Sequence, residues 1–216
     1  MINLLNENPV YFLIYIIALF SAITIHEFSH AWTAYQLGDP TPKIQGRVNL
    51  DPRSHIDLTG LLFLFFFGFG WGKPVEIDYF NLKNPKKDSA LISLAGPISN
   101  FILAILCSIL LRLFIFFNNS FLQTIGFIIL TPIIQINVFL GFFNLLPVSP
   151  LDGFKIVGGI LSDKKAKEWY SLEKYGIFFL LLMIIPFGGL SMIDTFLKPI
   201  VNSIIKLLIP SFSNII

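Results

Sequence analysis

The chain has 216 residues, 55% of them hydrophobic and 13% charged, and a mean hydropathy of +0.76. That charge content is about half the soluble norm of roughly 25%, which excludes an ordinary water-soluble domain, and a net charge of +2 gives no ground for a nucleic-acid partner. Cys107 is the only cysteine, which excludes a disulfide framework and a cysteine-based metal site.

Met1–Pro9 is polar and carries no Lys or Arg, and Val10–Leu37 is long and apolar enough to cross a bilayer, which takes about 20 residues. The run lacks the basic leader and small-residue cleavage site of a signal peptide. Gly38–Asp57 is polar, with turn signals at Asp39-Pro40 and Asp51-Pro52. Leu58–Trp71 is apolar but only about fourteen residues long, and Gly68, Gly70 and Gly72 break it. A run of that length suits a re-entrant segment better than a span. Beyond polar Lys73–Asp88, a second span is expected over Ser89–Phe117 and a third over Phe121–Leu146, joined by Asn118-Asn119-Ser120. Pro147–Asp152 breaks helical order, and Gly153–Lys174 holds five lysines. A fourth span is expected over Leu172–Leu190, followed by a helix at Met192–Pro210 that lies along the interface. The expected fold is an all-α membrane protein: about four transmembrane helices, a re-entrant segment and a C-terminal interfacial helix. No separate soluble domain fits between the spans, so residues 1–216 read as one domain.

Basic residues favour the cytoplasmic side of a membrane. If Leu58–Trp71 enters and leaves on one side, twelve of the fifteen basic residues gather there: Lys43, Arg47, Arg53, Lys73, Lys83, Lys86, Lys87, Lys155, Lys164, Lys165, Lys167 and Lys174. A full crossing would split the basic loops between both sides. Arg112, near the outer end of its span, can snorkel.

Within the first span stands His26-Glu27-Phe28-Ser29-His30. Residues i and i+4 stack on one helix face, so the two imidazoles can converge on one metal ion. Glu27 lies beside them, where a carboxylate can take a proton from a water that the metal activates. This is the H-E-x-x-H arrangement of zinc hydrolases. A five-residue pattern arises by chance in many soluble chains, but three ionisable groups within five positions of a membrane helix are expensive to keep. A catalytic zinc takes three protein ligands. His55 is the one histidine left over, and Asp152 is the stronger candidate. The first and third spans run in the same direction, which puts His26, His30 and Asp152 in the same cytoplasmic half. Pro147 and Pro150 break the helix before Asp152, and non-helical backbone at membrane depth must be buried or line a watered cavity.

With these residues on the page, the chain resembles the site-2 proteases, the M50 intramembrane zinc metalloproteases. The resemblance rests on His26-Glu27-x-x-His30 and Asn144-x-x-Pro147-x-x-Pro150-Leu151-Asp152-Gly153. Gly70-Trp71-Gly72-Lys73-Pro74-Val75 and Ser93-Leu94-Ala95-Gly96-Pro97-Ile98-Ser99-Asn100 reinforce it, and the core motifs cover residues 26–153. It implies one Zn2+ per chain held by His26, His30 and Asp152, with Glu27 as general base and Asn144 polarising the scissile carbonyl. It also implies transmembrane protein substrates within the lipid bilayer of a prokaryotic cell membrane, and an active site toward the cytoplasm. Gly70–Val75 looks like the family's re-entrant β-loop, whose backbone is expected to pair with an unwound substrate. Asn100 is either structural or substrate-facing, and His55 is expected to order the interface rather than bind metal. The PDZ domain that many members insert between the second and third spans has no room here. A C-terminal CBS pair is also missing, so a minimal, core-only member is expected. Two rivals use the same residues: a membrane metal carrier or sensor, which needs no base at Glu27, and an inactive binding scaffold.

Overall fold

A computed structural model describes residues 2–67, 70–186 and 189–210. Helix α1 (Ile2–Glu7) leads into α2 (Pro9–Gln36), whose first turn is capped by Asn8 Oδ1 accepting from Tyr11 N. The short α3 (Thr41–Ile44) and a 3-10 turn at Pro52–Ser54 precede α4 (Leu58–Phe67). Helices α5 (Pro85–Phe116) and α6 (Ser120–Asn144) form an antiparallel pair, and Asn119 caps α6 by accepting from Phe121 N and Leu122 N. Then follow α7 (Asp152–Ile160), α8 (Asp163–Tyr170), α9 (Gly176–Ile184) and α10 (Lys198–Leu208).

Helices α2, α5 and α6 are, among the described residues, the three long and apolar enough to cross a membrane. They pack on one another through small buried residues, Ala18, Ala22 and Ala104 among them, which let helix backbones approach closely. Their exposed large side chains, such as Val10, Leu13, Ile17, Ile102 and Leu106, are apolar. That inversion of a soluble surface is what a lipid solvent requires, and the chain is an integral membrane protein.

The expected fourth span is different. Among its described residues, Leu172–Leu190 holds a 3-10 turn at Glu173–Tyr175 and the nine-residue α9, which ends just before Pro186. At 1.5 Å per residue, α9 is about 14 Å long against a hydrocarbon core of about 30 Å. The tail is helical as expected, but its inner face joins the core: Ile193, Leu197 and Val201 pack with Leu111, Leu130 and Val138. Ser108 Oγ donates to Leu208 O (2.6 Å) and Arg112 to Leu207 O (2.7 Å), which ties the tail's end to the half of α5 remote from Pro85.

The described legs of Leu58–Trp71, residues 58–67 and 70–71, pack against each other as a hairpin beside α2. Asp57 caps α4 by accepting from Gly60 N at 2.8 Å. The helix then climbs until Phe65 meets Phe12 edge-on, with ring centroids 6.2 Å apart. The chain is back at its starting level by Gly72, which forms an antiparallel bridge with Ile56. Both ends therefore sit at one level of α2. The Leu- and Phe-rich run Leu58–Phe67 is helix and satisfies its own backbone, while Gly70–Val75, the expected β-loop, is non-helical and makes a single described β-bridge, at Gly72. Gly68, one of the glycines expected to break the run, lies outside the described residues.

Candidate metal centre

His26 and His30 face the same side of α2, and their rings meet edge-to-face at 4.6 Å. Asp152 arrives from the N-terminus of α7. Its Oδ2 lies 3.1 Å from His26 Nε2 and 3.3 Å from His30 Nε2, and the three candidate ligand atoms fall within 4.8 Å of one another. Residue 153 must be glycine for this approach, because a Cβ there would stand 2.3 Å from Leu145 O and 2.4 Å from Leu146 O. The loop that turns the chain from α6 into α7 includes a cis Ser149-Pro150 bond.

Helix α5 orients both rings. His30 Nδ1 donates to Ile92 O, and His26 Nδ1 donates to Asn100 Oδ1, each at 2.7 Å. Asn100 is itself fixed, since its Nδ2 donates to Ala22 O (3.0 Å) and to Asn137 Oδ1 (2.8 Å). Asn137 Nδ2 in turn donates to Ile133 O at 2.8 Å. Ile92, Gly96 and Asn100 are spaced i, i+4, i+8, so one stripe of α5 lies against the imidazoles. Gly96 provides the clearance: a Cβ there would lie 2.5 Å from His30 Nε2 and 2.6 Å from His26 Cε1.

The donor set fits a zinc ion. With each Nδ1–H given to an oxygen, each Nε2 presents a bare lone pair, as in metal-bound histidines whose far nitrogen is tied down. Two such lone pairs and a carboxylate oxygen converging in a buried site repel one another unless a cation lies between them. The 3.1 and 3.3 Å separations are close to the spacing of about 3.3 Å that tetrahedral ligands have at bonds of about 2.0–2.1 Å.

Glu27 is half-buried beside this group, within electrostatic reach of His30. Its carboxylate also faces the hairpin, because a Cβ on Gly72 would lie 3.4 Å from Glu27 Oε1. Asn144 closes α6; its Nδ2 donates to Leu140 O at 3.1 Å, and the second amide hydrogen is uncommitted among the described residues. His55 is fully buried outside the metal-facing group, with Nε2 bonded to Asn49 O at 2.8 Å, so it orders the loop before α4. Asn100, for which structural and substrate-facing roles were both open, is structural: it is buried and serves His26.

Three participants have no role in the sequence reading: the Ile92 carbonyl, Asn137 and the clearance at Gly96. Asn137 did carry a signal, as a buried polar residue in the middle of an apolar span is costly unless it has work to do. A backbone carbonyl carries none.

The family model described as peptidase family M50 matches residues 14–130 and 115–187. The "Putative zinc metalloprotease YwhC" of Bacillus subtilis is 36% identical over 178 residues, 81% of each chain. The "Putative zinc metalloprotease Rip2" of Mycobacterium tuberculosis is 30% identical over 76% of this chain and 63% of its own. "Zinc metalloprotease MJ0392" of Methanocaldococcus jannaschii is 29% identical over 86% of this chain, which spans about half of that longer protein (46%). No solved structure matches the chain.

Proposed function

The chain belongs to peptidase family M50 and is a zinc metalloprotease, and from that premise we propose that it hydrolyses peptide bonds within or beside the membrane-spanning segments of other membrane proteins. The observation that carries this reading is the convergence of His26, His30 and Asp152 next to Glu27 inside a bundle of membrane-length helices.

Each residue then has a task. His26, His30 and Asp152 would hold Zn2+, which would supply Lewis acidity and lower the pKa of the attacking water. Glu27 accepts the proton released as that water attacks the carbonyl carbon, and can return it to the leaving amine. Asn144 donates its free amide hydrogen to the developing oxyanion, a contribution worth on the order of 10²- to 10³-fold where it has been isolated. Asn100 and Ile92 O keep the imidazoles in register so that neither ring has to reorganise during turnover.

The run Lys73–Asp78 supports a place for the substrate. It is non-helical, it begins beside Glu27, and the backbone N–H groups of Val75, Glu76 and Ile77 donate to no backbone carbonyl among the described residues. An unwound substrate can add to such an edge, which presents it extended and demands little of its side chains. Twelve basic residues gather on the side of the bundle to which the His-bearing end of α2 belongs, which supports a cytoplasmic active site. A metal carrier would have no use for Glu27 as a base.

The decisive experiment uses purified full-length protein with elemental analysis and a membrane-embedded substrate. Glu27→Gln retains zinc and loses cleavage by a factor on the order of 10²–10⁴, the usual range for a general base. Normal turnover in that variant would sink the mechanism.

A further inference from the structure

The hairpin that brings Gly72 to Glu27 is closed at its base by one buried side chain. Arg47 lies in the polar stretch after α3 and is only 4% exposed. Its Nη1 donates to Ser54 O and its Nη2 to Lys73 O. Those two carbonyls belong to opposite legs of the hairpin, next to the Ile56–Gly72 bridge and the 2.8 Å bond from Lys73 N to His55 O. Beyond this point the chain is fastened again: Gln45 Nε2 donates to Glu76 Oε2 (2.7 Å), while Asp39 accepts from Asp78 N (2.8 Å) and Asn81 Nδ2 (3.0 Å). The free-edged strip between is therefore held at both ends, and Arg47 holds the end beside Glu27.

We propose that Arg47 is a positioning residue, whose guanidinium sets the height of the strip Lys73–Ile77 against Glu27 and so aligns a substrate backbone with the attacking groups. The proposal rests on the protease reading. The chemistry needs arginine, because a planar fork donates to two carbonyls at once whereas a lysine ammonium is a single point on a flexible stem. Burying that charge is costly, and Glu27 and Glu76 both face it electrostatically. A displacement of about 1 Å in a positioned reaction centre can cost on the order of 10²-fold in rate.

The test compares zinc-loaded wild-type protein with Arg47→Lys and Arg47→Met by amide hydrogen exchange, zinc content and steady-state cleavage of one membrane-embedded substrate. Both variants are expected to exchange faster at residues 54–57 and 72–78, with α2 and α5 still protected and zinc retained. Cleavage falls on the order of 10²-fold, with the loss in kcat rather than KM. Unchanged exchange or unchanged kcat overturns the proposal. So does loss of zinc and of α2 protection in step with cleavage, which would make Arg47 a part of the fold alone. Exchange needs no substrate, so a wild type that cleaves nothing counts against the protease reading, while the exchange result still decides whether Arg47 closes the hairpin.

Discussion

On one side of Glu27 the metal-facing side chains stand on helices, the two histidines on the long α2 and Asp152 at the start of the shorter α7. The i, i+4 geometry of α2 sets His26 and His30, and α5 clamps each ring by its far nitrogen. On the other side stand the hairpin, with α4 as one leg, and the strip Lys73–Asp78, which carries no regular structure. They are held by side chains reaching for backbone groups: Arg47 to two carbonyls, Asp57 to the first turn of α4, and Asp39 to Asp78 N. A metal ligand has to be placed to a fraction of an ångström, which rigid helices provide. A segment that must accept many substrate sequences has to leave backbone groups free, which a helix interior cannot do. The two regions are therefore expected to fail separately.

The largest effect tests the helical side. His26→Ala or Asp152→Ala removes one of the three proposed ligands, so both variants are expected to lose zinc and cleavage together by elemental analysis and turnover; full zinc in either would break the assignment. Gly96→Ala is next. Its Cβ would collide with both imidazoles, and displacing oriented ligands typically costs about 10- to 100-fold in metal affinity. Competition with a zinc-binding dye measures that loss, while folding should survive because α5 is otherwise unchanged.

On the hairpin side, Val75→Pro removes one free backbone donor from the strip. Cleavage is expected to drop roughly tenfold, consistent with about 1–1.5 kcal/mol for one hydrogen bond, with zinc content and thermal stability untouched. Val75 is a cleaner site than Gly72, which is already committed to the bridge with Ile56. If zinc and stability fall along with cleavage, the strip is only a plug.

The smallest effect is a pH dependence. Burial pushes His55 below the ordinary imidazole range; its bond to Asn49 O opposes this, and the charge of Arg47 adds to it. The fold thus favours neutral His55. Its contribution to stability is fully present above about pH 6.5, the unperturbed value, and is lost as pH falls below it. Protection of the Lys73 amide should hold above about pH 6.5 and decline as the pH is lowered below it in the wild type. A His55→Gln variant with the same decline would show that some other group is responsible.

Much of the candidate metal centre was legible before any fold was known. His26, Glu27 and His30 declare themselves because helix geometry is local, and Asp152 because two prolines break the third span just ahead of it. The membrane class and the three long spans follow from composition and run length, which need no partners. The hairpin was legible only as a run too short to cross. Arg47 counted as one topological charge among twelve, since nothing local distinguishes a buried guanidinium from a solvated one. The length of the helix in the fourth expected span was not legible for a related reason: hydropathy over Leu172–Leu190 cannot tell one long helix from a short one packed on its neighbours, although Pro186 marks where α9 stops. Tertiary structure alone decided that Asn100 orients His26 across 74 residues, that Ile92 O orients His30 across 62, and that Asn137 steadies Asn100 across 37. Those contacts depend on which faces of α2, α5 and α6 meet. A single sequence does not carry that information, because in a lipid solvent both the packed and the exposed faces are apolar.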